Sequence, residues 1–171
     1  MKVKGNHFRS IWFDEKTKAV NIIDQRVLPY EFKVIPIDTL EEFELAIKDM
    51  AVRGAPLIGA TAAFGMACQM RRDPSDECIN ISWKRLHKTR PTAINLKWAL
   101  DRCKSALLKV ATKSRAEISM ELAKKIADED VEINRNIGVH GLKIIREIAN
   151  NKSSDDPVRL LTHCNAGWLA T

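Results

Sequence analysis

Apolar and polar positions alternate through the first 35 residues, in "FRSIWFDEK" and "AVNIIDQRVLP", with charged turn residues between the runs. A period of two predicts short strands, so this region reads as a small β-meander with Pro29 and Pro36 marking the exits. The period then changes. In "DTLEEFELAIKDM", Leu40, Phe43, Ile47 and Met50 recur at helical spacing, and Thr39 with Glu42 forms a capping box at the start. A second helix is predicted from Pro56, carrying Leu57, Ala60, Ala63, Phe64 and Ala67, with "RRDPSDEC" ending it. A third is predicted from Pro91, with Leu96, Leu100, Cys103, Leu107 and Val110 on one face. A fourth starts at a Ser114/Glu117 capping box and carries Ile118, Leu122 and Ile126.

Around "NIGVHG", Gly138 and Gly141 either weaken the helix or admit another backbone, and "LKIIREIAN" finishes it before the polar loop "NNKSSDD". The run "PVRLLTH" then reads as a buried, parallel-type strand leading into a turn. It has no partner strand in the chain, and a lone strand leaves its backbone groups unpaired. The expected architecture is an α+β fragment. It comprises a β-meander subdomain over residues 1–36, a helical bundle over 37–152, and over 153–171 the first strand of a missing Rossmann-like α/β domain.

Composition narrows the function. With 171 residues, 45% of them hydrophobic, the chain can bury one ordinary core. Cys68, Cys78, Cys103 and Cys164 form no C-x-x-C pair and are too sparse for a disulfide framework, so they read as thiols in a reducing compartment, the cytoplasm. "MKVKGNHFRS" has no apolar core of a signal segment, and "APLIGATAAFGMA" is too short to span a bilayer, so it reads as a buried helix and no membrane partner is expected. The net charge is +6, yet the basic residues fall in scattered clusters, at 71, 83 and 124. Without a basic stripe these are solvated helix faces, no nucleic-acid partner is expected, and an anionic small molecule accounts for a few more.

Two expected helix starts share a feature: an arginine just ahead of a proline, in Arg53-Gly54-Ala55-Pro56 and in Arg90-Pro91. Unpaired N–H groups and the positive end of a helix favour an anion, and a guanidinium fork suits phosphate oxygens. Gly54 lets the backbone come close to such a ligand. The alternative is that each arginine holds a loop carbonyl or pairs with a carboxylate. Cys164 would follow the carboxyl end of a strand, where open α/β sheets bind ligands, and a helix start at "NAGWLAT" would favour its thiolate. It is then a base or a nucleophile; otherwise it is a small buried hydrophobe, as Cys68, Cys78 and Cys103 are expected to be. His163 points away from Cys164 on a strand and reads as a packing residue. His87 and His140 lack metal-ligand spacing, so no metal is expected. "GATAAFG" is neither a dinucleotide fingerprint nor a P-loop.

Four segments, "MAVRGAPLIGATAAFGMA", "RPTAINLKWALDR", "IGVHG" and "LTHCNAGWLAT", together resemble the amino-terminal half of the methylthioribose-1-phosphate isomerase family. The wider family includes the regulatory subunits of the translation-initiation exchange factor and ribose-1,5-bisphosphate isomerases. The resemblance implies conversion of 5-methylthioribose 1-phosphate to 5-methylthioribulose 1-phosphate in methionine salvage, with neither metal nor other cofactor, by a homodimer when intact. It implies that Arg53, Gly54, Ala55 and Arg90 bind the substrate phosphate. It assigns Cys164 to proton transfer or transition-state stabilisation in an apolar site. The family's proton-donating aspartate and a phosphate-binding lysine belong to a second domain outside these residues, so the chain by itself is expected to be inactive. Two alternatives remain: a non-catalytic binding subunit akin to the translation-factor subunits, and a plain helical scaffold.

Overall fold

The computed structural model describes residues 2–153, 155–163 and 167–170. Strands β1 (Lys2–Val3) and β2 (Asn6–His7) form a short antiparallel hairpin. Its two central residues, Lys4 and Gly5, both have positive φ, the requirement of a tight two-residue turn. Strands β3 (Ile11–Asp14), β4 (Ala19–Ile23) and β5 (Val34–Ile37) make a three-stranded antiparallel meander in that order. Ile11 pairs with Ile22 and Val20 with Ile37, which puts all four on one buried face. Alternation in the sequence therefore becomes one apolar face, as expected. Pro36 does not mark an exit: it lies within β5, opposite Asn21. β5 is the edge of the sheet, where a residue without an N–H is tolerated.

Helix α1 (Leu40–Lys48) opens with the expected capping box. Glu42 Oε2 accepts from the Thr39 N–H at 2.8 Å and the Asp38 N–H at 2.9 Å, and these two donors hold its carboxyl below the usual range. Met50 falls outside the helix, with φ 58°, and is exposed, contrary to its expected place on the apolar face. Helix α2 (Ala55–Arg72) is the centre of the fold, buried on nearly every side from Leu57 to Cys68. Its small residues set the distances to its neighbours. A methyl on Gly65 would lie 3.1 Å from the Phe43 ring, and one on Gly59 would lie 2.8 Å from the Asn95 carbonyl.

Helix α3 (Asp76–Thr89) has no counterpart in the sequence reading, which took "RRDPSDEC" only as a stop. The same segment is also a start: the Ser75 hydroxyl accepts from the Cys78 N–H at 3.1 Å, and Ile79, Ser82 and Leu86 turn inward at helical spacing. Helix α4 (Ile94–Leu107) buries Leu96, Leu100, Cys103 and Leu107 as expected, but begins at Ile94 rather than Pro91, and Val110 lies beyond its end. A short 3₁₀ turn (Thr112–Ser114) precedes α5 (Arg115–Asn150). The expected Ser114 cap is not made; Ser114 is already helical, with φ −96° and ψ −8°. Ile126 is buried, while Ile118 and Leu122 pack against the core half-buried.

α5 runs unbroken through Gly138 and Gly141, neither of which has another group within 4 Å of where a methyl would sit. At 36 residues it is about 54 Å long. Its first half packs on α2, and its second half carries Ile133, Ile137 and Ile144 in the open. Residues 157–163 form no strand, Leu160 and Leu161 are exposed, and His163 is exposed rather than packed. Among the described residues the expected strand has no neighbour to bond to, and an unpaired strand gains nothing over solvated coil. Sheet and helices share one continuous apolar core, from Ile11 and Val20 to Leu100 and Ile126. No described helix is long and apolar enough to cross a membrane.

Candidate functional site

Gly54 caps α2 with φ 102°, a conformation that side chains rarely tolerate. The first helical residues are Ala55 and Pro56, and the first intrahelical bond runs from the Ile58 N–H to the Gly54 carbonyl at 3.1 Å. N–H groups at this end precede the repeating ladder and face outward for a partner. α1, α3 and α5 each carry a carboxylate in the first turn; α2 and α4 carry none. Neither of these two ends is compensated by a carboxylate of its own helix. These two ends are also neighbours, since Gly59 on α2 lies against the Asn95 carbonyl in the first turn of α4.

Arg53 is exposed, and one guanidinium nitrogen donates to the Gln25 carbonyl at 3.2 Å. A loop-carbonyl contact is thus realised, as one of its two readings required, while the remaining donors stay available. Arg90 is not at a helix start. It closes the carboxyl end of α3, and its carbonyl accepts from the Ala93 N–H at 3.0 Å in the turn leading to α4. Pro91 lies in that turn because residue 90 must leave the helical region ahead of a proline. The Arg90 side chain is exposed, one turn before the amino end of α4. Among the described residues no carboxylate pairs with Arg53 or Arg90, whereas Arg72 is paired with Asp38 and Lys124 with Glu15, each at 2.5 Å.

Cys164 lies outside the described residues. The turn that follows it in sequence, Trp168–Ala170, is pinned to the amino end of α2. The Ser10 hydroxyl donates to the Trp168 carbonyl at 3.0 Å, and Gln25 Nε2 donates to the Leu169 carbonyl at 2.7 Å. Ala170 is buried against Gly54, so close that a methyl on the glycine would fall 2.5 Å from it. Two of the other thiols are unsuited to chemistry: burial pushes Cys68 and Cys103 up to about 12.

Two features escaped the sequence reading. Gln25 is 1% exposed, and its side-chain oxygen is buried without a hydrogen-bond partner. Asp130 on α5 lines a cavity of about 110 Å³ with Pro56, Asn95 and Trp98, beside the amino ends of α2 and α4. Burial raises its pKa, and one of its oxygens has no hydrogen-bond partner. A larger cavity of about 680 Å³ lies between the β2 strand and α5 and reaches Gly167 and Trp168. Nothing in the spacing of Asp130 marks it out; only the packing of three helices does. Among the described residues no cluster of three or more His, Cys, Asp or Glu could hold a metal ion.

Residues 51–171 match the Initiation factor 2 subunit family. The methylthioribose-1-phosphate isomerase of Sinorhizobium medicae is 53% identical over the whole of this chain, which covers 47% of that relative. The crystal structure of 5-methylthioribose 1-phosphate isomerase from Pyrococcus horikoshii OT3 superposes with a TM-score of 0.78 at 38% identity, over 95% of this chain and 45% of that one. Translation initiation factor eIF-2B, subunit delta, from A. fulgidus gives a TM-score of 0.68 at 37% identity, over 74% of this chain and 38% of that one. The chain spans about half the length of the curated relatives it matches. With a match over most of its length and the same fold in two solved relatives, the chain belongs to the Initiation factor 2 subunit family.

Proposed function

We propose that this chain is the substrate-anchoring half of a methylthioribose-1-phosphate isomerase, acting in the cytoplasm in methionine salvage. The observation that carries the reading is the amino end of α2, which has no carboxylate in its own first turn and whose Gly54 stands against the turn that follows Cys164 in sequence. The isomerase names of its relatives support the same reading. Arg53 and Arg90 supply charge to the substrate phosphate, and the N–H groups beside Gly54 and Ala55 supply directional donors. Trp168 follows Cys164 by four residues in the sequence.

Interconverting an aldose and a ketose moves a proton from one sugar carbon to the next. One group removes it and another returns it, and Cys164 is the candidate for one of these roles. The partner acid, on the family resemblance, belongs to a second, Rossmann-like domain that begins within residues 153–171 and follows the β-meander of 1–36 and the bundle of 37–152. The intact enzyme is read as a homodimer with a phosphorylated sugar as its only small-molecule ligand.

One test is titration of residues 1–171 with 5-methylthioribose 1-phosphate, followed by calorimetry. Binding without turnover is expected, and Arg53→Ala and Arg90→Ala should each weaken it by about 1.5–3 kcal/mol, the value of a charge-assisted contact. Unchanged affinity in both variants would sink the phosphate reading. Turnover near that of a full-length relative would show that the acid lies within this chain.

A second reading, a non-catalytic binding subunit, draws on the likeness to the A. fulgidus delta subunit and on the exposed Ile133, Ile137 and Ile144 of α5. It predicts no affinity for the sugar phosphate at all.

A further inference from the structure

The cavity of about 110 Å³ beside the amino ends of α2 and α4 is built from three helices. Pro56 and Asn95, each the second residue of its helix, line it together with Trp98 of α4 and with Glu129, Asp130 and Ile133 of α5. Its volume is that of about three or four waters, at roughly 30 Å³ each, which is room for part of a small polar molecule. Glu129 is already engaged, since Arg102 donates to its two oxygens at 2.5 and 3.0 Å. Asp130 and Asn95 are not. Among the described residues neither side chain makes a hydrogen bond or an ion pair, and one Asp130 oxygen is shut off from solvent without a partner.

A buried carboxyl without a donor opposes folding, and an apolar side chain of similar size would fill the place at less cost. Fold stability therefore gives no reason for aspartate here. A free carboxyl and a free amide on one cavity offer acceptors on both and two donors on the amide. Sugar hydroxyls match that set, because each O–H donates to a carboxylate and its oxygen accepts from an amide. Trp98 and Ile133 add the apolar surface that faces the C–H groups of such a ligand. The last torsion of an aspartate is broad, so either oxygen can turn to the ligand. We propose that this cavity takes the hydroxyl-bearing part of the phosphorylated sugar, with Asp130 and Asn95 as the residues that select it. This role rests on the phosphate reading given above. Pro56 directly follows Ala55, about 3.8 Å on along the chain, so a sugar whose phosphate sits on the Gly54 and Ala55 N–H groups has its ring within reach of the cavity. A site built to bond hydroxyls discriminates against ligands that lack them, because its own polar groups then stay unpaired.

Calorimetric titration of the 171-residue chain with ribose 1-phosphate and with inorganic phosphate tests the role. The quantity read is the ratio of the two affinities, in which a change in the field at the phosphate cancels. The parent chain should prefer ribose 1-phosphate. Asp130→Asn keeps the size of the side chain and removes its charge, and it should lower the ratio about tenfold, the loss of a charge-assisted hydrogen bond. Asn95→Ala should lower it about threefold, and carries the test if Asp130→Asn does not fold. An unmoved ratio in a folded variant overturns the proposal, as does equal affinity of the parent chain for both ligands. Arg53→Ala separates the two readings. If it leaves both affinities unchanged while Asp130→Asn still lowers the ratio, the phosphate reading fails and the sugar site stands. If it weakens both while Asp130→Asn leaves the ratio alone, the phosphate reading stands and the sugar site fails. Absence of binding by either ligand overturns both.

Discussion

Single residues at the amino end of α2 are constrained from several directions at once. Gly54 combines a φ of 102° with Ala170 directly against it, so neither the backbone nor the space admits a side chain. Asp130 is constrained electrostatically: burial raises its pKa, and one oxygen is unpaired. A carboxyl with a raised folded-state pKa binds its proton more tightly folded than unfolded. Its contribution to stability therefore falls as pH rises from the unfolded value, near 3.8, through the folded one. Asp130→Asn removes that dependence. Thermal melts should show the variant gaining on the parent chain more at pH 7 than at pH 4, and an equal difference at both would show that the carboxyl is solvated. Thiol chemistry at this scale is also decided by burial. Cys103, pushed up to about 12, should stay unmodified by iodoacetamide while Cys164 reacts; faster labelling of Cys103, read by peptide mapping, would contradict its place between α4 and the core.

At the scale of elements, α2 is held at short range by its neighbours. The 2.8 Å approach of a Gly59 methyl to the Asn95 carbonyl involves backbone, which cannot turn aside as a side chain can. Gly59→Ala should therefore cost about 1–3 kcal/mol and shift the first turn of α4, seen by urea unfolding and by amide shifts at Asn95. α5 divides into two halves with different expectations. Ile126→Ala, in the packed half, should cost about 2–5 kcal/mol, whereas Ile137→Lys, in the open half, should change stability by less than about 0.5 kcal/mol. A large loss from Ile137→Lys in urea unfolding would mean that a partner, such as a second copy, covers this face.

For the whole molecule, the meander and the helices bury one common core. That continuity carries the proposed site: Ser10 and Gln25 come from the sheet side, Arg53 and Gly54 from the turn that leads into α2, and residues 168–170 from the far end of the sequence. The exposed apolar run on α5 and the exposed Leu160 and Leu161 lie outside that core.

The sequence by itself determined what depends on neighbours within a few residues. The period-two pattern placed β3 and β4, and Thr39 with Glu42 placed the start of α1, because strands and caps are set by local bonds. The apolar positions of α2 and α4 were likewise legible, since helical spacing alone puts them on a face. The start of α2 at Gly54-Ala55-Pro56 was legible for the same reason. Local reading failed where one segment does two things: "RRDPSDEC" ends α2 and also begins α3, and Arg90-Pro91 closes α3 before α4 opens. Gly138 and Gly141 did not break α5, because a glycine costs about 1 kcal/mol, too little to end a helix in the middle of a long ladder. "VRLLT" has the composition of a strand but no neighbour to bond. Only the tertiary structure decided the surroundings of Gln25 and Asp130. Burial and distance create an unpaired amide oxygen and a raised carboxyl, and neither quantity exists until residues about 100 positions apart in sequence are packed together.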